Sequence, residues 1–249
     1  MKTEHNRSLL IFRSTLFWIW SIINTLVMGA PVLLARLVSY NLSAELSHWW
    51  LRGNLWGLKY ICGVSWKVEG RENVPDYPCL VLAKHQSTWE TYFIPTLLKR
   101  SVYVAKKSLA YIPIFGWAIA ALNFILIDRS SGRSALSQMI EQSKERFADG
   151  ISVMVFPEGT RMPVGAEPNY RIGGAMIAEA TGVDVLPIAV NAGEFWPRLG
   201  YIKWPGEITV VIGPVIKTEG KPAARIMAET QEWIESQMAE ITVLDRFPY

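Results

Sequence analysis

The stretch "LVLAKHQSTWE", Leu80 to Glu90, ends an apolar run on a histidine and places a carboxylate five residues after it. Of the 3 histidines in the chain, only His85 directly follows a strand-like segment. Ser87 or Thr88 can N-cap a helix there, which puts Glu90 in the first turn, where a carboxylate suits the helix dipole. A side chain in that position can fold back, accept a proton-bearing nitrogen of His85 and free the other nitrogen as a base. An unperturbed imidazole titrates at ~6.5, suited to proton abstraction near neutral pH. A lone histidine is as often a helix cap or a satisfied core group, so the base needs a substrate.

Other polar groups follow other apolar runs. Lys106 and Lys107 come after "SVYVA", Asp128 and Arg129 after "FILI", and "SVMVF" closes on Phe156, Pro157, Glu158, Gly159, Thr160 and Arg161. Loops at the carboxyl ends of parallel strands form the ligand crevice of an open α/β sheet, so four such loops imply one pocket for an anion. Arg129 and Arg161 offer forked donors matched to a phosphate, and Gly159 lets the backbone turn closely around it. Glu158 either holds an arginine, accepts a hydroxyl or forms a structural ion pair. No G-x-S-x-G elbow occurs, and neither Cys62 nor Cys79 has a histidine near it in sequence. A His–Glu dyad without its own nucleophile suits direct attack by a substrate hydroxyl on an activated acyl group. Backbone amides near the helix start are the natural oxyanion donors.

These loops need a sheet to hold them. Short apolar runs recur from residue 64 onward: "SWKVEG", "CLVLA", "SVYVA", "FILI", "SVMVF", "VLPIAV" and "ITVVIG". Most read as strands buried on both faces of a mainly parallel sheet. Helical patterns separate several of them. Leu136, Met139, Ile140, Ser143 and Phe147 share a face before Gly150; a second helix spans Tyr170 to Thr181 and stops at Gly182; a third runs from Pro222 to about Glu240. The alternation predicts an α/β domain over residues 63–249, with the sheet flanked by helices.

Residues 1–62 read differently. From Ser14 to Ala35 there is no charge over a length sufficient to cross a bilayer. Gly29, Ala30 and Pro31 can bend this run into a helix pair dipped in one leaflet. Trp49, Trp50, Trp56 and Trp66 then accompany Arg52 and Lys59, as suits a headgroup layer. The expectation is a membrane-anchoring helical segment. Hydrophobic residues make up 50% of the 249 and the net charge is only +3, without a basic run, which argues against nucleic acid as partner. The 2 cysteines match neither a disulfide framework nor a zinc pattern and read as reduced thiols.

Taken in order, His85 to Glu90, "FILIDR", "FPEGTR" and "VLPIAV" resemble the motifs of the glycerolipid acyltransferases, most closely the bacterial 1-acylglycerol-3-phosphate acyltransferases. The resemblance covers about Trp66 to Val190. It implies that His85 is the base and Glu90 its orienter, that Arg129 and Arg161 with Lys106 or Lys107 grip a phosphate, and that Glu158, Gly159 and Thr160 shape the acceptor site. It further implies transfer from acyl carrier protein or coenzyme A to the sn-2 hydroxyl of lysophosphatidic acid. No metal or bound cofactor is called for, and the partners are membrane lipids at the cytoplasmic membrane, with the site facing the cytoplasm. Two departures stand out. The family's usual aspartate is Glu90 here, one methylene longer, and Arg171 alone stands where a basic pair is common. Another lysolipid acceptor, such as a lyso-ornithine lipid, a membrane-bound esterase and a non-catalytic lipid-binding protein are the rival readings.

Overall fold

A computed structural model describes residues 6–128 and 131–243. All seven expected strands form: β1 (Val64–Glu69), β2 (Leu80–Ala83), β3 (Ser101–Lys106), β4 (Ile125–Ile127), β5 (Ser152–Val155), β6 (Val185–Val190) and β7 (Gly206–Ile212). They make one sheet in the order β1-β7-β6-β2-β5-β3-β4. Pairing is parallel except between β6 and β7, so β2 to β6 all run the same way. Their carboxyl ends therefore reach one edge, and β2, central between β5 and β6, delivers Lys84 and His85 to the middle of it.

Helices cover both faces. α1 (Arg7–Val38), α2 (Tyr40–Cys62) and α3 (Trp89–Phe93) lie on one side; α5 (Arg133–Ala148), α6 (Gly173–Thr181) and α7 (Ala223–Ile241) lie on the other, and the short α4 (Phe115–Ala121) precedes β4. Along β2 the side chains alternate between the two cores. Leu80 and Leu82 pack with Met139, Ala175 and Ile226, while Val81 and Ala83 pack with Phe17, Leu55 and Trp89. Each fully buried side chain of this size contributes about 1.5–3 kcal/mol. The same pleat continues past the strand. It sends Lys84 toward α7 and His85 toward the amino-terminal helices.

α1 is long and apolar enough to cross a membrane by length and composition. It is not broken at Gly29–Pro31, the alternative that the sequence left open. It continues through Pro31 to Val38, and the chain reverses at Ser39, whose amide bonds the Ala35 carbonyl at 2.8 Å while its hydroxyl accepts from the Asn41 amide. An interior proline costs about 3 kcal/mol. Burial of its neighbours Gly29, Val32 and Ala35 offsets that cost. The second expected helix begins at Gly173 rather than Tyr170, because residues 170 and 171 are engaged elsewhere: the Arg171 amide bonds the Pro157 carbonyl and the Tyr170 hydroxyl bonds Glu235. Cys62 and Cys79 are buried and free, and burial pushes both thiols up to about 11.

Candidate active site

His85 sits in the turn between β2 and α3, and its backbone is held on both sides. Its amide donates to Glu158 Oε2 at 2.8 Å, and its carbonyl accepts the Met162 amide at 2.8 Å. The "FPEGTR" segment after β5 thus brackets residue 85. The ring is held as well. Phe156 stacks on it with centroids 3.7 Å apart.

Glu90 folds back from the first turn of α3, as its position predicted. Its carboxylate accepts the Gln86 amide at 3.0 Å and the Ser87 amide at 2.9 and 3.0 Å. Oε2 lies 3.9 Å from Nδ1 of His85, within ion-pair reach but beyond a hydrogen bond. The extra methylene is absorbed by this fold-back. The carboxyl has no solvent exposure, and burial pushes it up to about 8 against the pull of its amide donors. The Trp89 amide bonds Ser87 Oγ at 3.1 Å. The amides of residues 85, 86, 87 and 89 are consequently all engaged by side chains, so the helix start does not present them as oxyanion donors.

A cavity of about 700 Å³ opens beside His85, between α1, α2, β3 and α4. Its walls are chiefly apolar, with Trp18, Leu26, Val32, Tyr103 and Ile119 among them, and the polar groups that line it include His48, His85, Thr88, Arg100, Lys106 and Arg161. Arg161 donates to Thr88 Oγ1 at 2.7 Å, which ties the guanidinium to the residue that precedes α3. The imidazole and this guanidinium therefore share one opening.

The remaining predicted residues divide. Phe156 lines the cavity, whereas Pro157, Glu158, Gly159 and Thr160 do not. Gly159 turns with φ 69°, the left-handed region that favours glycine, so its role is in the turn of the backbone. Glu158 is buried and pairs with Lys84 at 2.8 Å, which selects the ion-pair alternative over a grip on an arginine. Lys107 is exposed at the start of a 3-10 turn (Lys107–Tyr111) and does not itself line the cavity, and Asp128 is exposed just after β4. Arg129 lies outside the described residues. Sequence reasoning missed Thr88 as the anchor of Arg161 and Lys84 as the partner of Glu158. The signal for Lys84 was a cation directly after a strand buried on both faces, which demands a counter-charge.

The acyltransferase family profile matches residues 65–191. The chain is 42% identical over 200 residues to a 1-acyl-sn-glycerol-3-phosphate acyltransferase of Pseudomonas aeruginosa, covering 79% of this chain and 78% of that protein. It is 30% identical over 173 residues to 1-acyl-sn-glycerol-3-phosphate acyltransferase alpha of Homo sapiens, covering 68% of this chain and 61% of that protein. Its fold is similar to the crystal structure of the 1-acyl-sn-glycerophosphate acyltransferase PlsC from Thermotoga maritima, with a TM-score of 0.78 at 24% identity over 94% of this chain and 97% of that one. The chain belongs to the acyltransferase family and, within it, to the 1-acyl-sn-glycerol-3-phosphate O-acyltransferases.

Proposed function

We propose that this enzyme moves a fatty acyl chain from a thioester, carried on coenzyme A or acyl carrier protein, to the sn-2 hydroxyl of lysophosphatidic acid, forming phosphatidic acid. The observation that carries the reading is the shared cavity, whose chiefly apolar lining, roomy enough for lipid tails, includes the His85 imidazole, the Arg161 guanidinium and the Lys106 ammonium. Nε2 of His85 takes the hydroxyl proton as the oxygen attacks the thioester carbonyl. The C–O bond forms, the C–S bond breaks, and the departing thiolate receives the proton from the imidazolium. Glu90, close to Nδ1, stabilises the positive charge that develops on the ring. Arg161 and Lys106 receive the acceptor phosphate, the arginine through its fork and the lysine as a point charge.

In this reading α1 lies in one leaflet of the cytoplasmic membrane, with the site facing the cytoplasm. Both ends of the helix are tied to the rest of the fold. Near its start Ser14 Oγ accepts the Lys203 amide at 2.9 Å, and near its end Arg36 donates to the Ala121 carbonyl at 2.8 Å. A helix fastened along its length cannot cross a bilayer without drawing the sheet in with it. Its outward side chains, among them Phe12, Ile19, Ile23 and Leu34, are exposed and apolar, as an acyl boundary requires.

The test is transfer by the purified protein in vesicles supplied with radiolabelled acyl thioester and lysophosphatidic acid, run beside His85→Ala. Labelled phosphatidic acid from the native protein and none from the variant is the expected result. Near-normal turnover by His85→Ala removes the base, and transfer to a different lysolipid in an acceptor panel changes the substrate.

A further inference from the structure

The pleat that turns His85 toward the cavity turns Lys84 to the opposite face of the sheet. There its side chain is 4% exposed, and its ammonium stands 2.8 Å from Glu158 Oε1 and 2.8 Å from Glu235 Oε1 on α7. Tyr170 donates its hydroxyl to the same Glu235 oxygen at 2.8 Å, and the ammonium lies 5.7 Å from the centre of that ring. The other oxygen of Glu158 accepts the His85 amide. A continuous path of charge-assisted contacts thus runs from the carboxyl-terminal helix to the backbone of residue 85. None of Lys84, Glu158, Tyr170 or Glu235 lines the cavity.

Such an arrangement is a poor device for stability alone. Taking a lysine and a carboxylate out of water costs several kcal/mol per ion, on the order of what the pairing returns, and apolar side chains of the same volume would do as well. What an ion pair supplies and an apolar pair does not is direction. An ionised carboxylate held by a cation is a stronger and better-aimed acceptor for an amide than a neutral one. Burial pushes the Glu158 carboxyl up, and Lys84 pulls it back down. Glu235, still 27% exposed, holds the ammonium from the side of α7 and keeps it from turning outward.

We infer that Lys84 and Glu235 are positioning residues of the transferase, acting through Glu158 to fix the backbone from which the His85 imidazole projects. The inference rests on the reading of His85 as the base. It makes α7, which contributes nothing to the cavity, part of the catalytic support.

The experiment compares kcat, acceptor KM and thermal midpoint for the full chain, Lys84→Met, Lys84→Met with Glu158→Leu, Glu235→Gln and His85→Ala. Lys84→Met should lower kcat about tenfold to a hundredfold, as expected of a displaced base, with acceptor KM little changed. The double variant leaves no uncompensated buried charge, so its thermal midpoint should recover while kcat stays low. Recovery of kcat together with the midpoint would reduce the network to a structural one and overturn the inference. A raised acceptor KM at native kcat would also overturn it, by making Glu158 a substrate contact. Should Lys84→Met fail to fold, Glu235→Gln decides: a several-fold loss of kcat at constant KM supports the inference, and native kcat sinks it. A dead His85→Ala beside unimpaired Lys84→Met removes this inference alone. Turnover that survives His85→Ala removes the base itself.

Discussion

The imidazole of His85 lies flat on the ring of Phe156, centroids 3.7 Å apart and planes 8° from parallel, and Tyr103 stacks behind Phe156 at 5.4 Å. The stack fixes the plane of the base while Glu158 and Met162 fix its backbone. An aromatic pair of this kind contributes about 0.5–1.5 kcal/mol. Phe156→Leu keeps apolar volume but loses the flat face, so kcat should fall about twofold to tenfold with acceptor KM nearly constant. Initial rates at saturating donor measure this, and native kcat would show that the ring needs no such support.

Glu90 makes a prediction in two parts. Glu90→Gln keeps shape but not charge and should lower turnover at least about a hundredfold, while Glu90→Asp retains a carboxylate and should stay active. Burial raises the folded-state pKa to about 8 from the ordinary carboxyl value of 4.5. The folded state therefore binds the proton more tightly, and the associated stability is full below the unfolded value and lost as pH rises through about 8. Thermal melts should show the native protein losing stability relative to Glu90→Gln across that window. Its kcat should climb over the same range as the carboxylate forms. A constant difference in midpoint between the two proteins would contradict the assignment.

Arg161 lines the same cavity as the base and is bound to Thr88 Oγ1. A charged hydrogen bond contributes about 1.5–3 kcal/mol, so Arg161→Ala should raise acceptor KM about tenfold to a hundredfold with a smaller change in kcat. Thr88→Val, which only frees the guanidinium, should raise KM less. Steady-state titration with lysophosphatidic acid separates the two, and an unmoved KM in Arg161→Ala would remove the phosphate clamp.

The outward face of α1 can be tested without touching the site. Phe12, Ile19 and Ile23 are 60%, 49% and 50% exposed, and none lines the cavity. Replacing each by serine should weaken binding to anionic vesicles by at least about tenfold per substitution, from the apolar area no longer buried in lipid. Circular dichroism and the thermal midpoint should not change. Co-sedimentation with vesicles is the measurement, and full retention of binding by the triple variant would refute the in-plane pose.

The seven strands were readable as short apolar runs bounded by polar and turn residues, and the helices over residues 133–148, 173–181 and 223–241 by helical patterning and glycine stops. The fold-back of Glu90 was readable too, since it depends only on a helix start a few residues away. The place where α1 gives way to α2 was not readable. Gly29 to Pro31 is the stronger local breaker, but packing along the helix overrode it and Ser39 supplied the caps instead.

By itself, the order of residues determined which groups follow which strands, that His85 has a carboxylate within reach, and that Ser14 to Ala35 carry no charge. Only the tertiary structure decided that β2 lies between β5 and β6, so that Glu158 reaches the His85 amide and Arg161 enters the same cavity. It alone brought Glu235 of α7 to Lys84. The reason is physical. Periodicity and capping are local, whereas the pairing of a buried cation with its counter-charge depends on which strands and helices become neighbours when the apolar faces close.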